Sequence, residues 1–317
     1  FTGSIFFLKI LSGNITTPFI AYFTRISYNS LMIKVVFFGA SNYSLPVLKK
    51  LLSLKKFSVP LVVTKTDKTF GRDQKITPNP VAEFCQKNHL PLIQIENFSE
   101  DCRLKIEDYK ADLGLCVAFG PPFFDEKTIN LFPLKIVNIH PSPLPKYRGA
   151  TPGPWQIING ENESAVTFFQ IDLLPDHGPI ISSLPLKILP TDTAKTFYDR
   201  AFSLATNNLE KILNSYSLHP QKLTPQDHSK KSYFPKISKE KAEIDWQQPA
   251  TKIDAFVRGL NPFPIAWSKV KNHQGNIYKI KIFSGKILNN QFVPEEVQIE
   301  GKTKTIWSKI NPYYQFF

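Results

Sequence analysis

LKIVNIH, residues 134–140, is a continuous apolar run that ends in Asn138 and His140. DLGLCVAFG (112–120), just before it in the chain, is equally apolar. Runs of this length without polar alternation suit strands of a parallel sheet, covered on both faces. Three more lie upstream: IKVVFFG (33–39), FSVPLVVTK (57–65) and LPLIQI (90–95). Between them SLPVLKKLLSLKK (44–56) and PVAEFCQKNH (80–89) have helical spacing. Strands alternating with helices predict a doubly wound α/β domain. AVTFFQID (165–172) and PIISSLPLKI (179–188) are read as strands that make the sheet mostly, not wholly, parallel. The amphipathic stretch 193–217 is read as the closing helix, with Asp192 as a candidate cap. Ligands in such folds sit beyond the carboxyl ends of strands, where Asn138, His140 and Gly120 fall.

The second part of the chain reads differently. Residues 218–236, LHPQKLTPQDHSKKSYFPK, are polar, basic and Pro-containing, and suggest a linker. Beyond it, short strand-like runs such as IYKIKIFSG predict a small β-rich domain over 237–317. The whole chain of 317 residues is 42% hydrophobic and 21% charged, an ordinary globular composition of two-domain length. Its formal charge is +13, and residues 207–317 hold 17 Lys and Arg against 9 Asp and Glu, an excess of +8. Such a balance suggests a polyanionic partner, nucleic acid first; the plainer reading is a solvated Lys-rich surface. Three cysteines (Cys85, Cys102, Cys116) without CxxC spacing argue against a disulfide framework or a zinc site, so no metal is expected and a reducing cytoplasm fits. No run of 18 apolar residues appears, and no membrane span is expected. Residues 1–31 carry no acidic residue and only Lys9 and Arg25 as bases. Met32 is the one methionine and directly precedes the first strand, so we expect 1–31 to be a non-native upstream extension, with a targeting segment as the alternative. The catalytic domain is then expected over 32–217.

Within a strand, residues i and i+2 project from one face, so Asn138 and His140 aim at one point beyond the sheet. An Asn amide can stabilise an oxyanion, and a nearby His can hydrogen-bond the same oxygen or move a proton. Ser142 follows Pro141 without a nucleophile-elbow motif, which favours transfer to an external nucleophile over an acyl-enzyme. Asp176, in LLPDHGPII between two strands, is the candidate third group. Each has an ordinary reading too: Asn138 as a turn cap, His140 as a satisfied core His, Asp176 as a turn Asp before Gly178. Gly39-Ala40-Ser41 after the first strand lacks the later glycines of a dinucleotide fingerprint, so pyrophosphate binding there is not expected.

Taken together, NIHPSPLPKYRGATP and the later DHG resemble the 10-formyltetrahydrofolate-dependent formyltransferases. The likeness runs from Ile33 to about Lys309 and includes VAFGPPFFDE, TDTAKTFYDRA, AEIDW and RGLNPFPIAW. TDKTFGRDQKITPNPV resembles the tRNA-directed branch of that family. The resemblance implies 10-formyltetrahydrofolate as co-substrate and initiator methionyl-tRNA as acceptor, in a cytoplasmic and monomeric enzyme. It implies Asn138 as donor to the formyl oxygen, His140 as its partner in charge stabilisation and proton transfer, and Asp176 as the group that sets the His and relays a proton. It further implies folate contacts at Ser142, Pro143, Leu144 and Pro145 and near Phe119 and Gly120. Lys68, Arg72 and Lys75 match the basic loop that reaches the tRNA acceptor end. The second domain is expected to be an oligonucleotide-binding (OB-like) β-barrel, abbreviated because few residues follow IYKIKIFSG. Two departures stand out: SPLP replaces SLLP, so Pro143 removes a backbone donor, and DHG replaces DTG, placing His177 beside Asp176. An amino-sugar nucleotide formyltransferase shares the triad and folate site without needing the basic domain or loop. An RNA-binding protein on a dead transferase fold is disfavoured by the intact triad.

Overall fold

The structure, a computed structural model, describes residues 32–70 and 75–316. The expectation about residues 1–31 therefore lies outside the described residues.

The chain begins with β1 (Ile33–Gly39), α1 (Ser44–Ser53) and β2 (Phe57–Lys65). A short antiparallel pair follows, β3 (Lys68–Phe70) and β4 (Lys75–Thr77), then α2 (Pro80–Lys87), β5 (Leu92–Ile95) and α3 (Glu100–Glu107). Next come β6 (Leu113–Val117), α4 (Glu126–Asn130), β7 (Ile136–His140), α5 (Pro152–Ile158), β8 (Glu163–Gln170), β9 (Ile180–Lys187) and α6 (Ala194–Leu218). Seven strands form one sheet in the order β5-β2-β1-β6-β7-β8-β9. The first five are parallel, and β8 and β9 join antiparallel. The doubly wound, mostly parallel sheet expected from the sequence is present.

The apolar runs are continuous because the sheet is covered twice. On β1, Val35 and Phe37 join a core with α1, α2 and α6, while Val36 and Phe38 join a second core with α3 and α4. Phe38 is the hub of the second core, with the Phe98, Phe119, Phe124 and Phe132 rings edge-on to it at 5.0–6.1 Å. The chain builds outward from β1 in one direction, then returns to add β6 and β7 on the other side. The loops after β1 and β6 thus part company, and this divergence opens a crevice at the carboxyl edge of the sheet.

Helix α6 corrects one expectation. Its cap is Thr193, whose hydroxyl accepts from the Thr196 N–H in a reciprocal capping box. Asp192 sits one residue too early to reach that N–H. Its carboxylate instead accepts from the Leu189 N–H (2.7 Å) and the Thr196 hydroxyl (2.9 Å), and pairs with Arg200.

The second domain comprises α7 (Ala250–Gly259), β10 (Ala266–Asn272), β11 (Ile277–Ile282), β12 (Gly285–Leu288), β13 (Gln291–Pro294), β14 (Glu296–Ile299), β15 (Thr305–Ile306) and β16 (Tyr314–Phe316). Five strands form an antiparallel sheet, β15-β14-β11-β10-β16, and β12 pairs with β13 in a separate hairpin. Among the described residues β15 and β16 remain at opposite edges, so this is an open half-barrel. Its core runs from Ile237 through Val257, Val270 and Ile282 to Ile299. Trp155 and Ile158 of α5 pack against that core. Gly259 permits the approach, because a Cβ there would come within 2.7 Å of Ile158. Helix α5 therefore links the loop after β7 to the second domain. Among the described residues no helix is long and apolar enough to cross a membrane.

Candidate active site

Parallel pairing sets Cys116 of β6 beside Asn138 of β7, and antiparallel pairing sets His140 opposite Thr167 of β8. The two candidate side chains thus sit at a carboxyl edge flanked on both sides. They line a cleft of about 400 Å³ with Tyr43, Phe119, Gly120 and Asp176. That volume lies within the range typical of small-molecule sites, ~300–1,000 Å³.

The three candidate catalytic residues come together, in distinct states. Asn138 has no hydrogen-bond partner for its side chain among the described residues, so its amide is free for a ligand. His140 is buried, and its Nε2 lies 2.9 Å from the Tyr147 carbonyl oxygen. A carbonyl only accepts, so Nε2 carries the hydrogen. The other ring nitrogen, Nδ1, faces Asp176 Oδ1 at 3.6 Å. The second oxygen of Asp176 accepts from the Gly149 N–H at 2.7 Å. His140 is thus buried and hydrogen-bonded, as a core histidine would be, while also lining the cleft.

Three non-glycine residues around this cleft adopt left-handed backbone: Ala118 (φ 46), Tyr147 (φ 58) and Asp176 (φ 51). Such conformations cost ~1–3 kcal/mol each and persist where the surroundings enforce them. Tyr147 is held on every side. Its ring stacks on Phe234 (4.8 Å, 12°), its N–H donates to Ser232 Oγ (2.9 Å) and its hydroxyl donates to Glu161 (2.6 Å). Burial and the Glu161 bond push that hydroxyl up to about 12, so it stays a donor at neutral pH. Two glycines complete the packing: a Cβ on Gly149 (φ 111) would overlap the Phe234 carbonyl oxygen, and one on Gly178 the Gln170 carbonyl oxygen. Burial pushes the Cys116 thiol up to about 12, which leaves it protonated and inert in the cleft wall.

The other candidates divide. Phe119 and Gly120 line the cleft. Ser142, Pro143, Leu144 and Pro145 do not. Ser142 and Leu144 are buried behind the His, and the Ser142 hydroxyl donates to the Lys146 carbonyl (2.9 Å) while its own carbonyl accepts from Thr167 (2.6 Å). Lys68 and Lys75 fall on the β3–β4 pair, and Arg72 lies outside the described residues. Among the described residues no group of three or more His, Cys, Asp or Glu is placed to hold a metal ion.

Sequence reasoning singled out His177 beside Asp176 but missed the partners that form a second tier around it. His177 donates from Nδ1 to Asp172 (2.6 Å) and stacks on His228 (4.0 Å, 8°). The buried Arg148 donates to His228 Nδ1 (2.8 Å) and to Gln226. Burial draws the Arg148 guanidinium down from its ordinary value, and Asp176 and Asp172 pull it back up. Gln226, His228, Ser232 and Phe234 all belong to the stretch read as a linker, where no spacing or periodicity marks them.

Comparison with known proteins adds the relatives. Residues 33–213 match the family model described as formyl transferase, and residues 236–308 match that of the formyl transferase C-terminal domain. The chain is 34% identical over 255 residues to the methionyl-tRNA formyltransferase of Streptococcus equi, covering 80% of this chain and 81% of that one. It is 31% identical over 277 residues to that of Bacteroides fragilis, covering 85% of each. Among solved structures, an N-formyltransferase from Helicobacter canadensis in complex with folinic acid and dTDP-3-aminofucose superposes with a TM-score of 0.60 at 23% identity, over 84% of this chain and 95% of that one. At these identities the structural match speaks for the fold.

Proposed function

The chain belongs to the formyl transferase family, and from that premise we propose that it moves a formyl group from 10-formyltetrahydrofolate to the α-amine of initiator methionyl-tRNA. Asn138, His140 and Asp176 are its catalytic groups in this reading. The observation that carries the chemistry is Asn138: an amide without a described protein partner, at the cleft, on the same strand as a His that faces an Asp. Donors aimed at charge that develops only during reaction are the largest single source of rate in acyl transfer. Asn138 donates to the formyl oxygen as that oxygen gains charge. His140 spends its Nε2 hydrogen on Tyr147, so its second proton belongs on Nδ1, between ring and Asp176. Asp176 accepts the proton that the attacking amine loses and passes it to Nδ1; the imidazolium so formed stabilises the same oxygen, and the carboxylate stabilises the imidazolium. That proton ends on the folate nitrogen released from the formyl carbon, so none is gained or lost overall. The amine attacks in its neutral form, and a free α-amine titrates near ~7.7–8, so little tuning is required.

Phe119 and Gly120 border the folate ring, and segment 142–145 supports that wall from behind. The acceptor is argued from the second domain and the sequence. On one face of the antiparallel sheet, Trp267, Lys269 and Lys271 of β10 lie beside Lys279 and Lys281 of β11. Lys279 Nζ sits 3.6 Å from the Trp267 ring centre. Cations interleaved with an aromatic suit a nucleic-acid backbone. Lys68, Arg72 and Lys75 are assigned to the acceptor end, so Arg72→Ala should reduce transfer more than general RNA binding. The test is a formyl-transfer assay offering methionyl-initiator tRNA and an amino-sugar nucleotide side by side. Transfer to the tRNA supports the reading; transfer to the sugar nucleotide alone replaces it with the sugar-directed alternative.

A further inference from the structure

The segment between the domains is bonded along the catalytic loops. Thr224 and Ile180 exchange both backbone hydrogen bonds, each at 2.8 Å. Gln226 is buried, and its side chain uses its full hydrogen-bonding capacity. Its Oε1 accepts from Arg148 Nε (3.2 Å) and Nη2 (2.6 Å), and its Nε2 donates to the carbonyls of Asp176 (3.0 Å) and Gly178 (2.7 Å). Further along, Ser232 Oγ accepts from the Tyr147 N–H, the Arg148 N–H donates to the Ser232 carbonyl (2.9 Å), and the Phe234 N–H donates to the Arg148 carbonyl (2.8 Å). These bonds converge on Tyr147 and Asp176. One supplies the carbonyl that fixes the His140 ring, the other the carboxylate that faces it, and both hold left-handed backbone.

We propose that residues 224–234 form a positioning strap for the His140–Asp176 pair, with Gln226 as its central positioning residue. The proposal rests on the functional reading above only for its kinetic test. Gln226 touches no cleft surface; it acts through the backbone of the Asp176 turn and through Arg148. Without its two donors the Asp176 and Gly178 carbonyls lose their buried partner, and the turn no longer has a reason to stay left-handed at Asp176. Ser232 does the same for Tyr147 from the other side.

The test uses the full chain with Gln226→Ala, Gln226→Glu and Ser232→Ala, and Gln221→Ala as an exposed control in the same segment. Gln226→Glu keeps an acceptor for Arg148 but sets oxygen against the two carbonyls. The first readout is substrate-free: ¹⁵N resonances of the His140 ring, assigned by their loss in His140→Asn. The proposal expects these to shift in both Gln226 variants and in Ser232→Ala, and to stay in place in Gln221→Ala. The second readout is formyl transfer. Misplacing catalytic groups by about 1 Å costs on the order of 10²-fold, so kcat should fall by about 10- to 100-fold with KM unchanged. The pH profile of kcat should shift as well, which loss of folded protein alone would not cause. Where Gln226→Ala fails to fold, Ser232→Ala removes a single acceptor and decides the matter. Unmoved His140 resonances in folded variants overturn the strap. So does a loss confined to KM, or one matched by the loss of folded protein. A wild-type chain with no transfer to methionyl-tRNA defeats the functional reading instead, and the resonances still judge the strap.

Discussion

Replacing Gly149 with alanine tests how tightly the loop after β7 holds Asp176. The added methyl would overlap the Phe234 carbonyl oxygen and lie 3.1 Å from its carbon, at a φ of 111 that side chains rarely adopt. Neither neighbour can step aside, because Phe234 stacks on Tyr147 and its N–H is bonded to Arg148. The loop must therefore retreat, and a displacement of about 1 Å is enough to cost on the order of 10²-fold in rate. It also breaks the 2.7 Å bond from the Gly149 N–H to Asp176. A hydrogen bond to a charged group contributes ~1.5–3 kcal/mol, which corresponds to roughly 10- to 150-fold if all of it is felt in the transition state. We expect kcat to fall by about 10- to 100-fold and urea unfolding to show a loss of about 2.5–5 kcal/mol, the bond and the backbone strain together. Gly160→Ala is the control. Gly160 has a φ of 75 with nothing within 4 Å of its Cβ position, so alanine there meets only the backbone penalty, ~1–2 kcal/mol, and leaves kcat alone. If Gly149→Ala kept kcat within threefold of wild type (~0.65 kcal/mol), the link between this loop and the Asp176 carboxylate would be refuted.

Phe38→Ala should destabilise the catalytic domain by ~3–5 kcal/mol in denaturant unfolding, because the ring is fully buried and four others pack edge-on to it. A cost below about 1.5 kcal/mol would mean that this cluster repacks. Stability should also depend on His228, whose imidazole is drawn down by burial and by His177, Arg148 and Lys231, against the opposing pull of Asp172. The unfolded chain then binds more protons than the fold just below the ordinary imidazole value of about 6.5, so this contribution is complete above that value and is lost as pH falls through the folded one. His228→Gln should flatten urea midpoints between pH 7.5 and 5.5, and an unchanged pH slope counts against the assignment. In the second domain, Lys269→Ala with Lys281→Ala should weaken tRNA binding and shallow its dependence on salt between about 50 and 200 mM. Binding that ignores both changes would remove that face from the interface.

The parallel sheet was legible because its inner strands are dominated by apolar residues without polar alternation, and Val35 to Phe38 alternate between two cores. Asn138 and His140 were legible because a strand's period of two puts them on one side, at the edge where such sheets bind ligands. The cap of α6 was misplaced by one residue, since Asp192 and Thr193 are both good caps and only backbone geometry separates them. The second tier was hidden for a different reason. Tyr147 acts through its carbonyl and Gly149 through its N–H, and backbone groups leave no trace in residue type. Gln226 and Ser232 lie in a polar stretch without periodicity, where buried residues look like solvent-exposed ones. Their partners are 48 to 85 residues away in the chain, a distance over which no local pattern carries information.

Pre-steady-state formyl transfer by wild type and Asn138→Ala, with 10-formyltetrahydrofolate and methionyl-initiator tRNA, tests the central claim most directly. The amide has no described protein partner to leave behind, so its removal should spare the fold and the affinity for the folate. Loss of one donor to the developing oxyanion should slow the chemical step by ~10²–10³. A variant that kept more than about a third of the wild-type rate would contradict the account, because the donor would then contribute less than ~0.7 kcal/mol to the transition state.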